Sequence, residues 1–571
     1  MSVDPLIVQR MAAPESMSRL VAAGCPPLLA RVYAARGIAD PEELEDNLER
    51  LLRPDSLHNV GQMAELLADA IERNERLTIV ADYDADGATA CAVAVRALRA
   101  FGASVHYVVP NRFEFGYGLS PEIVRLAHAT TRPDVLITVD NGIASHDGVV
   151  EANGLGMRVL ITDHHLPGTT LPDACCIVNP NQPACGFPSK NLAGVGVIYY
   201  VMLALRAVLR ARGRLLREVN MASLLDLVAL GTVADVVRLD GNNRVLVQQG
   251  LKRIRARRMQ AGIAALFEVA RRDPERAGTY DLGFVLGPRL NAAGRLTDMT
   301  LGIEGLITDD PVRARAIAAE LDRLNRERRE IEAAMQEDAL AAMASVAPEA
   351  FTATVFDGAW HQGVIGIVAS RLKDRFHRPV FAFARGNAGE IRGSGRSIRG
   401  LHLRDALDLI ARHHPGLILK FGGHAAAAGL SLRELDFERF RAAFEETVRG
   451  LVSPSDLERQ FECDGPLAIE ETTLQSARAI AIGVWGQGFP EPCFFDRFRV
   501  VDQRVVGGSH VRLKLARANR VFDAIVFNAS GVIPEDVEAL YRLDVNEFNG
   551  TYGLQLMVQH WRPAQSGTGP V

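Results

Sequence analysis

The chain has 571 residues, a length that calls for three or four domains rather than one. Its hydrophobic share of 48% supplies large cores and its charged share of 23% is ordinary, which excludes a disordered chain; no run nears the about 18–20 uninterrupted apolar residues of a membrane helix. The net charge of −5 decides nothing about nucleic acid, because it averages over patches, while seven cysteines with no even spacing read as reduced thiols, and Cys175, Cys176 and Cys185, the nearest to a cluster, lack the CxxC spacing of a zinc site.

The opening MSVDPLIVQRMAAPES lacks the basic and apolar regions of a secretory leader, so a cytoplasmic location is expected. Residues 1–60 read as an N-terminal helical segment, with Asp40-Pro41-Glu42-Glu43 as a capping box. From there strand and helix alternate. LTIVADYD (77–84), VHYVVP (105–110), DVLITVD (134–140) and MRVLITDHH (157–165) are β-rich runs separated by helical or Gly/Pro-containing stretches. Continuous Val/Ile/Leu runs between helices predict a doubly wound α/β domain with a parallel sheet buried on both faces, here given the bounds 61–307. A charged stretch at 308–346 predicts a long connecting helix. A second, smaller α/β domain follows at 347–452, containing GEIRGSGRS and FGGHAAAAGL. Short alternating strands with Gly, Asn and Ser turns at 453–565 predict a β-barrel of OB type.

Acids stand where the buried strands end. Asp82, Asp84 and Asp86 close the first run, Asp140 another, and Asp163, His164 and His165 a third, while Asp235 sits in LLDLVALGTVADVV. Ligands of an open parallel sheet bind at the carboxyl ends of its strands, so these side chains are expected in one crevice. A single Asp there is ordinarily a cap or turn residue. A set of five carboxylates repels itself unless a cation neutralises it. Carboxylate oxygen with a minority of imidazole suits Mn²⁺ or Mg²⁺ better than structural Zn²⁺.

DYDADG (82–87), VDNG (139–142), TDHH (162–165) and TVADVV (232–237) resemble the four ordered motifs of the DHH phosphoesterases. GVIGIVASRL (363–372), GSGRS (393–397) and GGHAAAAG (422–429) resemble the DHHA1 domain that accompanies them. The full arrangement, tail included, is similar to the branch of this superfamily that degrades single-stranded DNA from the 5′ end in recombination and repair.

The resemblance implies a two-metal-ion hydrolysis of phosphodiesters, with ions roughly 3.5–4 Å apart. It implies that Asp86, Asp140, His164 and Asp235 hold one ion and that Asp84 and Asp140 hold the other. Asp163 would orient the histidine pair, and His165 would lie near the scissile phosphate. Pyrophosphate-cleaving relatives carry a histidine where this chain has Val80; Asp82 is the substitute ligand expected here. Arg112, then Arg289, Asn291 and Arg295 in GPRLNAAGR, then Ser394 and Arg396 on a Gly-rich turn, and His424 are the expected phosphate contacts. The basic run LKRIRARR (251–258) reads as a solvated helix face, with strand tracking as the alternative. Most tail aromatics (Phe494, Phe495, Phe498, Tyr541, Phe548, Tyr552, Trp561) are expected in the barrel core, and some in base stacking.

The implied partners are single-stranded DNA, a single-strand-binding protein and a helicase, with the chain itself a monomer. The competing classes are a DHH phosphodiesterase of oligoribonucleotides or nucleotide messengers, a non-enzymatic scaffold and a plain single-strand-binding module. The intact acid set argues against the last two.

Overall fold

The apolar runs of the first half become strands because they are buried on both sides. In the computed structural model they form a five-stranded, all-parallel sheet in the order Ser104–Val108, Arg76–Ala81, Val135–Val139, Arg158–Thr162, Cys176–Val178. Residues 5–110, 118–215, 218–343, 347, 349–386, 389–529, 531–548 and 550–564 are described. Arg76–Ala81 is buried from its second residue on, and Val135–Val139 throughout. Strand order reverses between these two, which is the switch point at which such sheets bind ligands.

Helix Ala85–Ala100 opens directly from the first strand. Asp84 caps it by accepting the amides of Asp86 and Gly87 at 2.9 and 3.0 Å. Helix Gly194–Ala211, with mean hydropathy 1.5, is long and apolar enough to cross a membrane, although Arg206 and Arg210 interrupt its apolar run. It packs against helices Val60–Glu72 and Ala85–Ala100, and its first nine residues are buried. The core of the domain takes up its apolar surface.

The N-terminal segment is less helical than predicted. A strand, Leu6–Gln9, precedes helices Pro14–Ala22 and Pro27–Ala34, and the Asp40 capping box closes only a single tight turn, Pro41–Leu44. Beyond it the chain makes only two further single turns, Leu48–Arg50 and Pro54–Ser56, while Leu44, Leu51 and Leu52 pack against the core.

The chain divides into two compact units. One comprises the described parts of Gln9–Leu324 and Cys463–Val571, the other those of Met1–Val8 and Asn325–Glu462. The predicted charged helix spans Pro311–Met343 and contributes residues to both.

In the smaller unit the sheet runs Lys420–Gly423, Ala427–Arg433, Glu390–Arg396, Val380–Arg385, Ala353–Phe356. Only the last pair is parallel. Helix Ile365–Phe376 and a Phe381, Phe383, Phe440, Phe444 cluster cover it. GSGRS therefore begins inside a strand, not on a turn, because Gly393 and Gly395 leave room for the rings of Phe383 and Phe381.

The tail closes a five-stranded barrel in which Arg520–Phe527 runs parallel to Thr551–Pro563 and every other pair is antiparallel. Phe494, Phe498 and Tyr541 fill it, whereas Tyr552 lies exposed at its edge. The side chain of Phe548 lies outside the described residues. The barrel is part of the larger unit. Asp464, wholly buried, holds the Arg36 guanidinium at 2.7 and 3.0 Å, and Tyr33, Trp485 and Phe489 stack beside it.

Candidate metal centre

Four acidic motifs meet at the switch point. The first strand ends at Ala81, and Asp82, Asp84 and Asp86 follow on the turn into the helix. Val80 is fully buried within the strand, and its carbonyl accepts the Asn141 side-chain amide at 3.1 Å. Val135–Val139 ends in Asp140, which adopts φ 63°, a left-handed conformation that Asp tolerates better than most residues. Asp140 is thereby turned into the crevice while its amide donates to the Thr162 carbonyl at 3.1 Å. Arg158–Thr162 ends in Asp163, His164 and His165. Asp235 caps the C-terminal end of helix Leu225–Ala234. It joins the crevice from a helix rather than a strand.

Three groups of side chains stand close enough to share a cation: Asp82, Asp84, Asp140; Asp86, His164, Asp235; and Asp140, His164, His165. His164 Nε2 lies 3.1 Å from Asp140 Oδ1, 3.5 Å from Asp235 Oδ2 and 3.9 Å from Asp86 Oδ2. Asp140 and His164 recur across these groups, so the site is a single cluster with room for two ions.

The polar atoms of the cluster are matched to a bound cation. Asp140 Oδ1, His164 Nε2 and Asp235 Oδ2 are buried without a hydrogen-bond partner. Buried polar atoms in that state are costly unless something coordinates them. Burial, then repulsion from Asp235, pushes the Asp86 carboxyl up to about 8. Burial, then Asp84, pushes Asp235 up to about 7. Burial and the neighbouring Asp86 raise Asp140 well above the carboxylate range. Burial also lowers His164, keeping the imidazole neutral as a ligand must be. Oxygen donors with one neutral imidazole fit Mn²⁺ or Mg²⁺.

The histidine pair is divided by its partners. Asp163, 1% exposed, accepts the amides of His164 (2.7 Å), His165 (3.1 Å) and Ile143 (2.9 Å) and the His165 Nδ1 at 2.7 Å. Burial opposes its charge, but the His165 hydrogen bond and charge outweigh it and bring Asp163 down to about 2. Burial likewise works against a charged His165, and Asp163 overrides it to raise that imidazole to about 9. Asp163 thus favours the charged form of His165 at the edge of the carboxylate cluster.

Several residues that the sequence did not single out hold this geometry. Gly194 and Val195, at the start of helix Gly194–Ala211, donate to Asp86 Oδ2 and Oδ1 at 2.6 and 2.9 Å. A methyl on Gly194 would lie 2.5 Å from Asp140 Cβ, and one on Gly231 would lie 2.1 Å from Thr89 Oγ1 and 3.0 Å from Asp86 Oδ1. Asn179 and Asn181 donate to the His165 and His164 carbonyls at 2.9 and 2.6 Å. The glycine pair in LAGVGV and the NPN triplet after a strand are visible in the sequence, but only the tertiary contacts give them a reason.

The expected phosphate contacts have mixed surroundings. GPRLNAAGR is a helix, Gly287–Leu296, not a flexible loop, because Gly294 lets it sit against the Tyr83 carbonyl. Asn291 accepts the Ala85 amide at 2.7 Å and so braces the first acidic turn. Arg289 is engaged by Asp322 at 2.9 Å and by the Val285 carbonyl at 2.6 Å. Arg295 lies at the end of the same helix. In the smaller unit, Arg396 Nη1 reaches Ser394 Oγ at 3.1 Å, and His424 follows strand Lys420–Gly423. Arg112 lies outside the described residues.

A parallel sheet with acidic residues at its switch point, ordered DYDADG, VDNG and DHH motifs and a partner domain defines a DHH-type phosphoesterase. The DHH family, N-terminal domain, matches residues 76–232, the DHHA1 domain 348–450 and the RecJ OB domain 463–560. The chain is 52% identical to the single-stranded-DNA-specific exonuclease RecJ of Dickeya dadantii over 94% of this chain and 96% of that one, and 49% identical to that of Escherichia coli K12 over the same shares. The crystal structure of RecJ in complex with Mn²⁺ from Thermus thermophilus matches with TM-score 0.82 and 30% identity, over 99% of this chain and 81% of that one. The chain belongs to the RecJ family.

Proposed function

We propose that this chain is a single-stranded-DNA-specific exonuclease that hydrolyses phosphodiester bonds with two divalent ions, Mn²⁺ or Mg²⁺. The observation that carries the reading is the cluster of buried, unpartnered ligand atoms on Asp140, His164 and Asp235, surrounded by Asp82, Asp84 and Asp86. Asp86, Asp140, His164 and Asp235 hold one ion; Asp84 and Asp140, with Asp82 alongside, hold the other. When bound, the ions supply charge neutralisation for the phosphate and a lowered pKa for attacking water.

The chain's own groups do the rest. The switch-point turns fix the carboxylates, and Asn291 and the Gly194 and Val195 amides keep Asp86 and its turn from moving. Asp163 fixes the orientation of His165 through Nδ1 and favours its protonated form. His165 Nε2 is then a donor able to bind a phosphate oxygen and to hand a proton to the departing 3′-oxygen. Arg112, Arg289, Asn291, Arg295, Ser394, Arg396 and His424 are the proposed contacts to the strand, of which Arg289 would exchange Asp322 for phosphate. Asn291 serves through the turn it braces.

Travel from the 5′ end, a role in recombination and repair, a cytoplasmic location, a monomeric state and cooperation with a single-strand-binding protein and a helicase are expectations that the family resemblance carries. The bounds 1–60, 61–307, 308–346, 347–452 and 453–565 are the proposed domain division.

Purified protein is incubated with end-labelled single-stranded and double-stranded DNA in Mn²⁺, Mg²⁺ or chelator. Mononucleotide release from single strands alone, abolished by chelator, is expected. Equal attack on duplex, or cleavage only of dinucleotides, would count for a relative with another substrate.

A further inference from the structure

We infer that Tyr280 and Phe284 form a base-stacking platform beside the metal centre, on which a nucleobase of the single strand rests while its phosphate is at the acids. The inference rests on the exonuclease reading above and adds residues to it.

The two rings are the unexplained feature of the larger unit. They stack on each other with centroids 5.3 Å apart and planes 24° from parallel, yet Phe284 is 73% exposed and Tyr280 62%. A stacked pair in a core is ordinary; on the surface it leaves aromatic faces in water with nothing to cover them.

Their support is rigid and aimed. Tyr280 immediately precedes, and Phe284 lies within, a π-helical turn, Asp281–Leu286, inside the longer helical stretch 279–296. Such turns carry one extra residue at the expense of regular hydrogen bonds, and they concentrate at functional sites. Asp281, buried, anchors the turn by accepting Arg272 Nε at 2.7 Å and the Gly278 amide at 2.9 Å.

The same turn presses its small residues onto the helix that delivers a metal ligand. A methyl on Gly283 would lie 3.2 Å from Val233 Cγ1, and one on Gly287 would lie 3.0 Å from Ala234 Cβ. Val233 and Ala234 immediately precede Asp235. The backbone that carries the rings thus packs on the helix whose C-terminal end is Asp235.

Size and chemistry select the occupant. Two exposed aromatic side chains offer about 300 Å², well short of the roughly 800 Å² per partner of a stable protein interface. Every base has a π-face, so such a platform grips a strand regardless of sequence. Removing both rings should therefore weaken binding without touching the chemistry.

The test is steady-state digestion of a 5′-labelled single-stranded oligonucleotide and of the same oligonucleotide carrying abasic residues at its first five positions. Wild type and the Tyr280→Ala/Phe284→Ala double variant are compared. For the ordinary substrate the variant should raise KM at least about tenfold, with kcat within about threefold. On the abasic substrate the two enzymes should have the same KM, and Phe284→Tyr should behave as wild type. An unchanged KM on the ordinary substrate overturns the inference, and so does an equal loss on both substrates. A wild type that does not degrade single strands at all would instead sink the exonuclease reading.

Discussion

Gly194→Ala puts a single methyl against Asp140 at the heart of the metal centre. The new methyl would stand 2.5 Å from Asp140 Cβ, 2.6 Å from its Oδ1 and 2.7 Å from its Cγ. Carbon atoms prefer about 3.5–4.0 Å, so Asp140 or the helix start must retreat by about 1 Å. The helix start cannot move freely, because its amides hold Asp86 at 2.6 and 2.9 Å. Asp140 cannot rotate freely either, since it is 1% exposed in a left-handed backbone conformation. Overpacking of this kind costs about 1–3 kcal/mol of stability, and a misplacement of about 1 Å at a reacting centre costs on the order of a hundredfold in rate. The expected result is a folded protein whose kcat/KM on single-stranded DNA falls about a hundredfold, with weaker Mn²⁺ binding in a calorimetric titration. Activity within threefold of wild type and unchanged Mn²⁺ affinity would refute the assignment of Asp140 to the centre.

Three further outcomes follow from the same geometry. In chelator, Asp86 and Asp235 (raised to about 8 and 7) and His165 (raised to about 9) favour protons in the folded state, so their contribution is full at low pH and is lost as pH rises from about 4 to 9. The melting temperature of the metal-free protein should fall across that window. Mn²⁺ affinity should rise with pH, with more protons released on binding near pH 6 than near pH 9, as isothermal titration in buffers of different ionisation enthalpy would show; a pH-independent affinity contradicts the buried-acid account. Asp163→Asn removes the charge that holds His165 and should lower kcat about 10–100-fold, while moving the His165 titration by NMR in the metal-free protein down toward its ordinary value; an unmoved titration rules out the positioning role. Deleting 463–571 should unfold or aggregate the remainder instead of merely loosening DNA, because Arg36, now 2% exposed, loses the buried Asp464 and Tyr33 loses its aromatic stack; a monomeric truncated protein with wild-type melting would contradict this.

The sequence identifies the tail as an OB-type barrel without showing that it is bound into the first domain. Strand-like composition and turn residues identify a barrel, but they carry no information on which surface it packs against. Arg36 and Asp464 are 428 positions apart, and neither differs locally from a solvent-exposed charge. The glycine-rich segments teach the same lesson. GPRLNAAGR and GSGRS look like phosphate-cradling turns by composition, yet they are a helix and a strand whose glycines clear Tyr83 and two phenylalanines.

By itself the sequence determined the parallel sheet, the order of the acidic motifs and the demand for divalent cations. Each of these is a local matter: a short run of Val, Ile and Leu bounded by turn residues and helices fits a doubly covered strand, and like charges at several strand ends cannot share a crevice unneutralised. Only the tertiary structure decided that Asp235 arrives from a helix, that Asp163 splits two adjacent histidines into a neutral ligand and a cation, and that Gly194 and Gly231 must be bare. Those are properties of distances between remote segments, fixed when the core closes and invisible in any short window of the chain.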